Sequence, residues 1–311
     1  MSASDPLEQA DRGARPTEQV SPGGPPAAGL AAGLEALEPL RHELPNGIEL
    51  HAARAGQGDP LVFIHGAMGD WRSWASQWPA FTAHFECLSY SRRYCFPNRN
   101  TQASPDHSAL EEADDLLLLL DLLGWPRVTL VGSSYGGFTA LALALKAPHR
   151  VKALVAVEPP MMKYALRSAE GAAVVADFRA RVIEPANAAF REGRDADAVR
   201  IMTGGISGAG NSVNEGEAMA RRLQNVLAMK RLALSSDEFP WLEPQALAAL
   251  PMPVLLMSGA ATPAVHRAIF GEVCKAMPQA QVQMVEGAGH GVSREQPEAF
   301  NQRVLAFLGQ V

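Results

Sequence analysis

Val128-Thr129-Leu130-Val131-Gly132-Ser133-Ser134-Tyr135-Gly136-Gly137 is the stretch from which the fold of this chain is read. A short apolar strand runs straight into G-x-S-x-G, and a second apolar run continues to Lys146, two residues before Pro148. A proline disfavours helix just before itself, so this second run reads as a helix that ends there. Strand turning at once into helix places Ser134 at a sharp corner, with its hydroxyl lifted to the carboxyl end of the strand. Such a corner needs an unfavourable serine backbone and leaves no space for neighbouring side chains, which Gly132 and Gly136 satisfy. It also aims the first amides of the helix at the space in front of the hydroxyl.

Outward from this corner the pattern alternates. Strands are predicted at residues 48–52, 61–64, 85–90, 128–131, 151–157, 254–257 and 282–285. Helices are predicted at 108–123, 135–146, 263–277 and 295–308. Such alternation means a mostly parallel central sheet with helices on both faces. The stretch from about 160 to 250 breaks the rule. It shows helical spacing at 161–183, 185–191, 196–202 and 215–234, a Gly-rich loop at 204–216, and no strand, so it reads as a helical cap inserted between two strands. The expected organisation is a flexible leader over 1–44, an α/β core over 45–160 and 246–311, and a helical cap over 161–245. The leader is rich in Ala, Gly, Pro and Ser, a composition that buries little surface. A short helix at 30–40 is its one candidate element.

Bulk composition narrows the class. A chain of 311 residues, 47% hydrophobic, has enough apolar mass for a large core. A formal charge of -6 gives no reason to expect nucleic acid or anionic lipid as a partner. Cys87, Cys95 and Cys274 are too few and too scattered for a disulfide framework, and read as small apolar residues in a reducing compartment. No histidine cluster or CxxC pair has metal-ligand spacing, so no metal is expected. The run Leu116 to Leu123 is interrupted by Asp121 and is far short of the roughly 18 residues that span a bilayer. Asp5, Glu8, Asp11 and Glu18 rule out a signal-peptide reading of the first residues. A cytoplasmic protein, monomer or homodimer, is expected.

A serine hydroxyl needs a positioned base. His290 follows the last predicted strand in Glu286-Gly287-Ala288-Gly289-His290 and precedes the last helix, which places it on a loop at the same sheet edge as Ser134. With His65-Gly66-Ala67-Met68 after the 61–64 strand, the span from about 47 to 311 resembles the α/β-hydrolase superfamily with a helical cap. Ser91-Arg92-Arg93-Tyr94 resembles the variable loop after the fourth strand of these enzymes. The resemblance implies an oxyanion hole made by the amides of Ala67 and Tyr135, supported by His65 and Gly66. Losing one such donor raises a barrier by about 2.7–4 kcal/mol. Trp71 and Trp74 read as packing the loop.

The third member of the triad departs from the pattern. The resemblance implies that most relatives place the triad's acid after the seventh strand, often as G-x-x-D, and here that segment is Ser258-Gly259-Ala260-Ala261-Thr262-Pro263. Threonine carries no charge, and Glu272 lies too deep in the next helix. One explanation moves the acid to Glu158, at the end of the 151–157 strand, as in haloalkane dehalogenases. Pro159 and Pro160 would fix the backbone there. The other leaves the triad incomplete. Glu286 reads as a brace for the histidine loop, Asp106 and His107 as solvent-exposed, Arg92 and Arg93 as surface ion pairs. Met161 and Met162 either line the cap entrance or pack the core.

The resemblance implies a serine hydrolase of an ester, thioester or lactone, with no cofactor and a small-molecule, mostly apolar substrate. Carbon–carbon bond hydrolysis and perhydrolysis use the same residues. A ligand-binding, weakly catalytic relative is the alternative of another class.

Overall fold

In a computed structural model, which describes residues 33–210 and 216–311, eight strands form one sheet. They are β1 (Leu40–Glu43), β2 (Glu49–Ala55), β3 (Pro60–Ile64), β4 (Glu86–Tyr90), β5 (Val128–Ser133), β6 (Val151–Val157), β7 (Val254–Gly259) and β8 (Gln281–Val285). Their order is β1-β2-β4-β3-β5-β6-β7-β8. β1 and β2 are antiparallel to their neighbours, and every pair from β4 to β8 is parallel. The chain leaves β3 toward one side to make β4 and returns on the other side to make β5. The carboxyl ends of β3 and β5 therefore flank a topological switch point, where open parallel sheets leave a crevice.

The helices follow from the same alternation. Those of eight residues or more among the described residues are α1 (Ala109–Leu122), α2 (Tyr135–Lys146), α3 (Ala169–Phe178), α4 (Glu184–Arg191), α5 (Asp195–Ser207), α6 (Glu217–Gln224), α7 (Val226–Ala233), α8 (Ala264–Ala276) and α9 (Pro297–Leu308). One face of the sheet is covered by apolar residues of α1, α2 and α8, among them Leu116, Leu141 and Ile269. The other is covered by Trp71, Trp74, Trp78 and the α9 residues Phe300 and Phe307. Trp74 stacks on Phe63 of β3 with ring centroids 4.8 Å apart, so both tryptophans of this loop are packing residues. Met161 and Met162 are buried in the first core face. The cysteines are free, Cys87 and Cys95 buried.

Between β6 and β7 the described residues hold helices and no strand. The predicted 161–183 helix is broken: Met162–Ala165 is a single turn, α3 follows, and Arg179–Ile183 is π-helical. α5 runs on to Ser207, past the expected start of the Gly-rich loop, and ends on Gly208 at φ 75°. A glycine takes this left-handed conformation without the steric cost of a Cβ. No helix among the described residues is long and apolar enough to cross a membrane.

The expected leader boundary at 44 needs correction. Leu34 is fully buried against the tryptophan-lined face, and Leu40–Glu43 is the edge strand β1. Residues 1–32 lie outside the described residues, and the rest of the candidate helix at 30–40 is not a helix of that length: it holds a single 3-10 turn at Leu34–Ala36, after which Leu37 is extended and Leu40 begins β1. β1 is four residues long with no buried side chain, so it has no alternation to betray it. Backbone pairing through the tight turn at Pro45-Asn46-Gly47 makes it, with Gly47 at φ 77°.

A Cβ on Gly136 would stand 2.1 Å from the Ile64 carbonyl oxygen, so β3 and α2 touch backbone to backbone. Gly136→Ala is expected to lose about 1–3 kcal/mol or more in urea denaturation. Gly271, mid-way along α8 with nothing near its Cβ position, is the contrast: Gly271→Ala should gain up to about 1 kcal/mol.

Candidate active site

Ser134 sits between β5 and α2 at φ 52° and ψ -122°, a conformation unfavourable for any residue with a Cβ. It is held by its own amide, which donates to Val157 O at 2.7 Å, and by its carbonyl, which accepts from Gly137 and Phe138. A Cβ on Gly132 would meet Gly136 O at 2.3 Å, the steric demand read from the sequence. Gly66 approaches from the other strand end, less tightly, its Cβ position 3.3 Å from Ser134 Cβ.

Glu158 ends the neighbouring strand β6, also with positive φ, 41°. Its amide donates to Met257 O at 3.0 Å, extending the β6–β7 ladder by one bond. That twist turns the carboxylate inward, where it is buried. Oε1 accepts from Ser258 Oγ at 2.6 Å and from the Gly259 amide at 2.9 Å. Oε2 accepts from Thr262 Oγ1 at 2.8 Å and lies 2.6 Å from His290 Nδ1. Burial raises the carboxyl pKa, but the bond to His290, its charge and the bond from Ser258 outweigh that, and the value falls below the ordinary glutamate range. Thr262, where the resemblance led an aspartate to be expected, thus donates to the carboxylate.

His290 joins the two strand ends. Its Nε2 is 3.0 Å from Ser134 Oγ, and its Nδ1 faces Glu158. Glu158 accepts from the Nδ1 side, which leaves Nε2 to accept from the serine hydroxyl. The loop that carries it is pressed against β7: a Cβ on Gly259 would be 2.1 Å from Gly289 O. Glu295 braces this loop, accepting from the Gly289 amide at 2.6 Å and the Gly291 amide at 3.2 Å. Glu286, expected in that role, is exposed and makes no hydrogen bond among the described residues. It precedes the turn at Gly287, whereas Glu295 returns to the loop from the turn after it.

His266, at the start of α8, is a neighbour the sequence did not suggest. Its ring stacks on His290 with centroids 3.8 Å apart and planes 18° from parallel. Its Nε2 donates to Ile206 O at 3.1 Å, tying α8 to α5. Burial first, and the charge of His290 second, push its pKa down to about 3, so it stacks as a neutral ring. Its only sequence signal is a histidine four residues after Thr262, inside an ordinary helical pattern. Glu158, His266 and His290 could each offer a metal ligand within 4.8 Å of one another. Their geometry suits an ion poorly, because His290 Nδ1 and His266 Nε2 are already hydrogen-bonded and stacked rings point their lone pairs in parallel.

The loop after β3 is fixed from behind. His65 is buried, and its Nδ1 is 2.8 Å from Gly66 O while its Nε2 accepts from the Arg92 amide at 3.0 Å. Burial, then the Arg92 charge, lower its pKa to about 3, consistent with this neutral tautomer. Arg92 Nη2 donates to Gly66 O at 3.1 Å and to Ala67 O at 3.3 Å. In a trans peptide the N–H points opposite to the C=O, so the Ala67 amide is turned away from Arg92. Tyr135 is the first residue of α2, whose N–H has no intrahelical acceptor.

Arg92 and Arg93 are therefore not surface residues. Both are buried, Arg92 bonded to Glu112 and Arg93 to Asp115 at 2.7 Å. His107, expected in solvent, is buried too, 2.8 Å from Glu111 and 3.1 Å from Glu112. Asp106 next to it is exposed as expected. Sequence spacing could not show that these charges meet: Arg92 and Glu112 are 20 residues apart and share only the underside of one loop.

In front of Ser134 and His290 a groove of about 470 Å3 opens. Ala67, Met68 and Ile206 line it and apolar atoms supply most of its surface, but Arg72, Arg221, Arg222 and Arg294 also stand in its walls.

A sequence profile described as the Alpha/beta hydrolase family matches residues 61–303, well over half of the chain. The sn-1-specific diacylglycerol lipase ABHD11 of Mus musculus is 29% identical over 257 residues, which are 80% of this chain and 80% of that protein. The solved carboxylesterase CesB (YbfK) of Bacillus subtilis shares the fold at a TM-score of 0.66 and 22% identity, covering 88% of this chain and 93% of that one. The enol-lactonase of Burkholderia xenovorans LB400 does so at 0.60 and 21%, covering 87% and 100%.

The buried ion network makes two predictions. Arg92→Met leaves Glu112 buried with its main counter-charge gone, and should cost about 3–5 kcal/mol in chemical denaturation. Arg92→Met combined with Glu112→Leu should recover most of it. For His107, burial lowers the pKa, but the bonds to Glu111 and Glu112 and their charges raise it above the ordinary value. Its stabilisation is complete below the unfolded pKa of about 6.5 and is lost as pH rises through the raised folded pKa. The Tm advantage of wild type over His107→Gln should shrink in that direction, and an advantage that grows with pH would contradict the assignment.

Proposed function

We propose that this chain, which belongs to the alpha/beta hydrolase family, is a serine hydrolase that cleaves a carboxylic ester or lactone through an acyl-enzyme. The observation that carries this reading is the unbroken line Ser134 Oγ, His290 Nε2, His290 Nδ1, Glu158 Oε2, with gaps of 3.0 and 2.6 Å. Ser134 attacks the carbonyl carbon while His290 Nε2 takes its proton. The oxyanion is received by the amides of Ala67 and Tyr135. His290 then returns the proton to the leaving oxygen, and an alcohol departs, or in a lactone the ring opens. Water, deprotonated by His290, attacks the acyl-enzyme, and the acid and free Ser134 are released. Glu158 stays ionised throughout. It holds the imidazole in the tautomer that leaves Nε2 free to accept a proton, and it stabilises the imidazolium.

Glu158 performs the role that Thr262 cannot, and three donors other than His290 keep it in place. Thr262 and Ser258 act as positioning residues. His266 holds His290 by stacking on the face of its ring and links it to α5, so helices α3–α7 serve as a cap whose position bears on the base. Carboxylesterase and enol-lactonase among the structural neighbours are in keeping with ester and lactone chemistry.

Intact mass after treatment with a fluorophosphonate tests this reading. Wild type should gain one adduct and Ser134→Ala none. Glu158→Gln should label, and turn over p-nitrophenyl esters, at least about a hundredfold more slowly. Thr262→Val should slow turnover by about tenfold or less, the effect of one hydrogen bond. A folded wild type that stays unlabelled would remove the acyl-enzyme mechanism, and one that labels yet never turns over an ester or lactone would point to a binding role.

A further inference from the structure

The groove beside Ser134 carries positive charge that the hydrolytic steps do not use. Arg72 is neutralised by Asp70, with bonds of 2.6 and 2.9 Å, and also donates to Gln224. Arg221 is bonded to both Glu35 and Glu217. Those two acids are therefore committed to Arg221. The remaining two arginines differ. The guanidinium of Arg222, on α6, has no hydrogen bond and no ion pair among the described residues, although the residue is half-buried in the groove wall. Arg294 meets only Glu295, at 3.4 Å, and that carboxylate already serves the amides of Gly289 and Gly291.

Arg294 is also close to the reacting groups. A Cβ on Gly291 would lie 2.7 Å from its Nη2 and 3.2 Å from its Cζ, so the guanidinium rests on the residue that follows His290. Arg222 lines the same groove, together with Arg294, Ser134 and His290. Partial burial, and then the charge of Arg294, depress the pKa of Arg222. Two guanidinium groups lining one groove, with no carboxylate assigned to one of them, repel each other. A bound anion would relieve this repulsion, and a carboxylate matches the planar fork of arginine donors.

Resting on the serine-hydrolase reading above, we propose that Arg222 and Arg294 form an anion subsite in this groove. The substrate is accordingly an ester or lactone that bears a second, free carboxylate away from the scissile carbonyl. The arginine from α6 makes this recognition depend on the inserted helices, while Arg294 ties it to the loop of the base.

Two esters of equal chain length test the proposal: p-nitrophenyl hydrogen glutarate, with a free carboxylate, and p-nitrophenyl valerate, with a methyl group in its place. The readout is the ratio of their kcat/KM values, which a general loss of folding or activity leaves unchanged. Wild type should prefer the glutarate ester, and added salt should weaken the preference. Arg222→Gln and Arg294→Gln should each lower the ratio by about tenfold, the effect of one charge-assisted bond, and Arg222→Lys by less. A ratio that neither glutamine substitution changes would overturn the anion subsite while leaving the hydrolase reading intact. If neither ester is hydrolysed but Ser134 still labels, protection takes over as the readout. Glutarate should then slow fluorophosphonate labelling of wild type and not of Arg222→Gln, and equal protection of both would equally overturn the subsite. Failure of Ser134 to label at all would instead remove the serine mechanism on which the subsite rests.

Discussion

A carboxylate buried beneath a histidine is tolerated only if its charge is fully met, and the arrangement around Glu158 follows from that condition. Four groups meet it: His290, the Ser258 hydroxyl, the Gly259 amide and the Thr262 hydroxyl. Three of them belong to the end of β7 and the turn after it, and the fourth to the loop after β8. The β6, β7 and β8 ends are thereby drawn to one point. Adding the corner after β5, which presents Ser134, makes the carboxyl edge of four consecutive parallel strands a single hydrogen-bonded unit. Its local strain, positive φ at both Ser134 and Glu158, is sustained by the ladder bonds that each residue's own amide makes to the adjacent strand.

A second buried charge network performs the equivalent task for the loop after β3. Arg92 lies under that loop and turns two of its carbonyls downward, and Glu112, with His107 beyond it, neutralises the cation. Burying these charges costs more than burying apolar groups of the same size would, so the network is better understood as fixing one conformation of the loop than as a source of stability. Both halves of the proposed reaction centre thus rely on the same device, a buried ion whose every partner is a fixed backbone or side-chain group.

The inserted helices meet this centre at two places. His266 stacks on His290 and holds the Ile206 carbonyl of α5, and Arg222 of α6 shares a groove with Arg294. Any movement of the insertion would alter both the support of the base and the charge in front of the serine. In the proposed reaction, substrate choice and base positioning would be coupled through one element.

The local physics of strand, glycine and helix sufficed in the sequence to determine the alternating α/β order, the corner at Ser134 and the placement of His290 on the same sheet edge. Each of these depends on neighbours within a few residues: the apolar runs, the glycines that make room, the proline that ends a helix. Glu158 was legible as a candidate because it is the carboxylate at the end of the strand next to the corner, but a competing reading at Thr262 stayed open. Only the tertiary structure shows how the two residues relate, since Thr262 and Glu158 are 104 residues apart and meet as donor and acceptor. The same holds for the burial of Arg92, Arg93 and His107, for the stacking of His266, and for Glu295 replacing Glu286 as the brace. The β1 strand is the extreme case, because its edge pairing uses the backbone alone, and backbone hydrogen bonds leave no mark on which side chains are present.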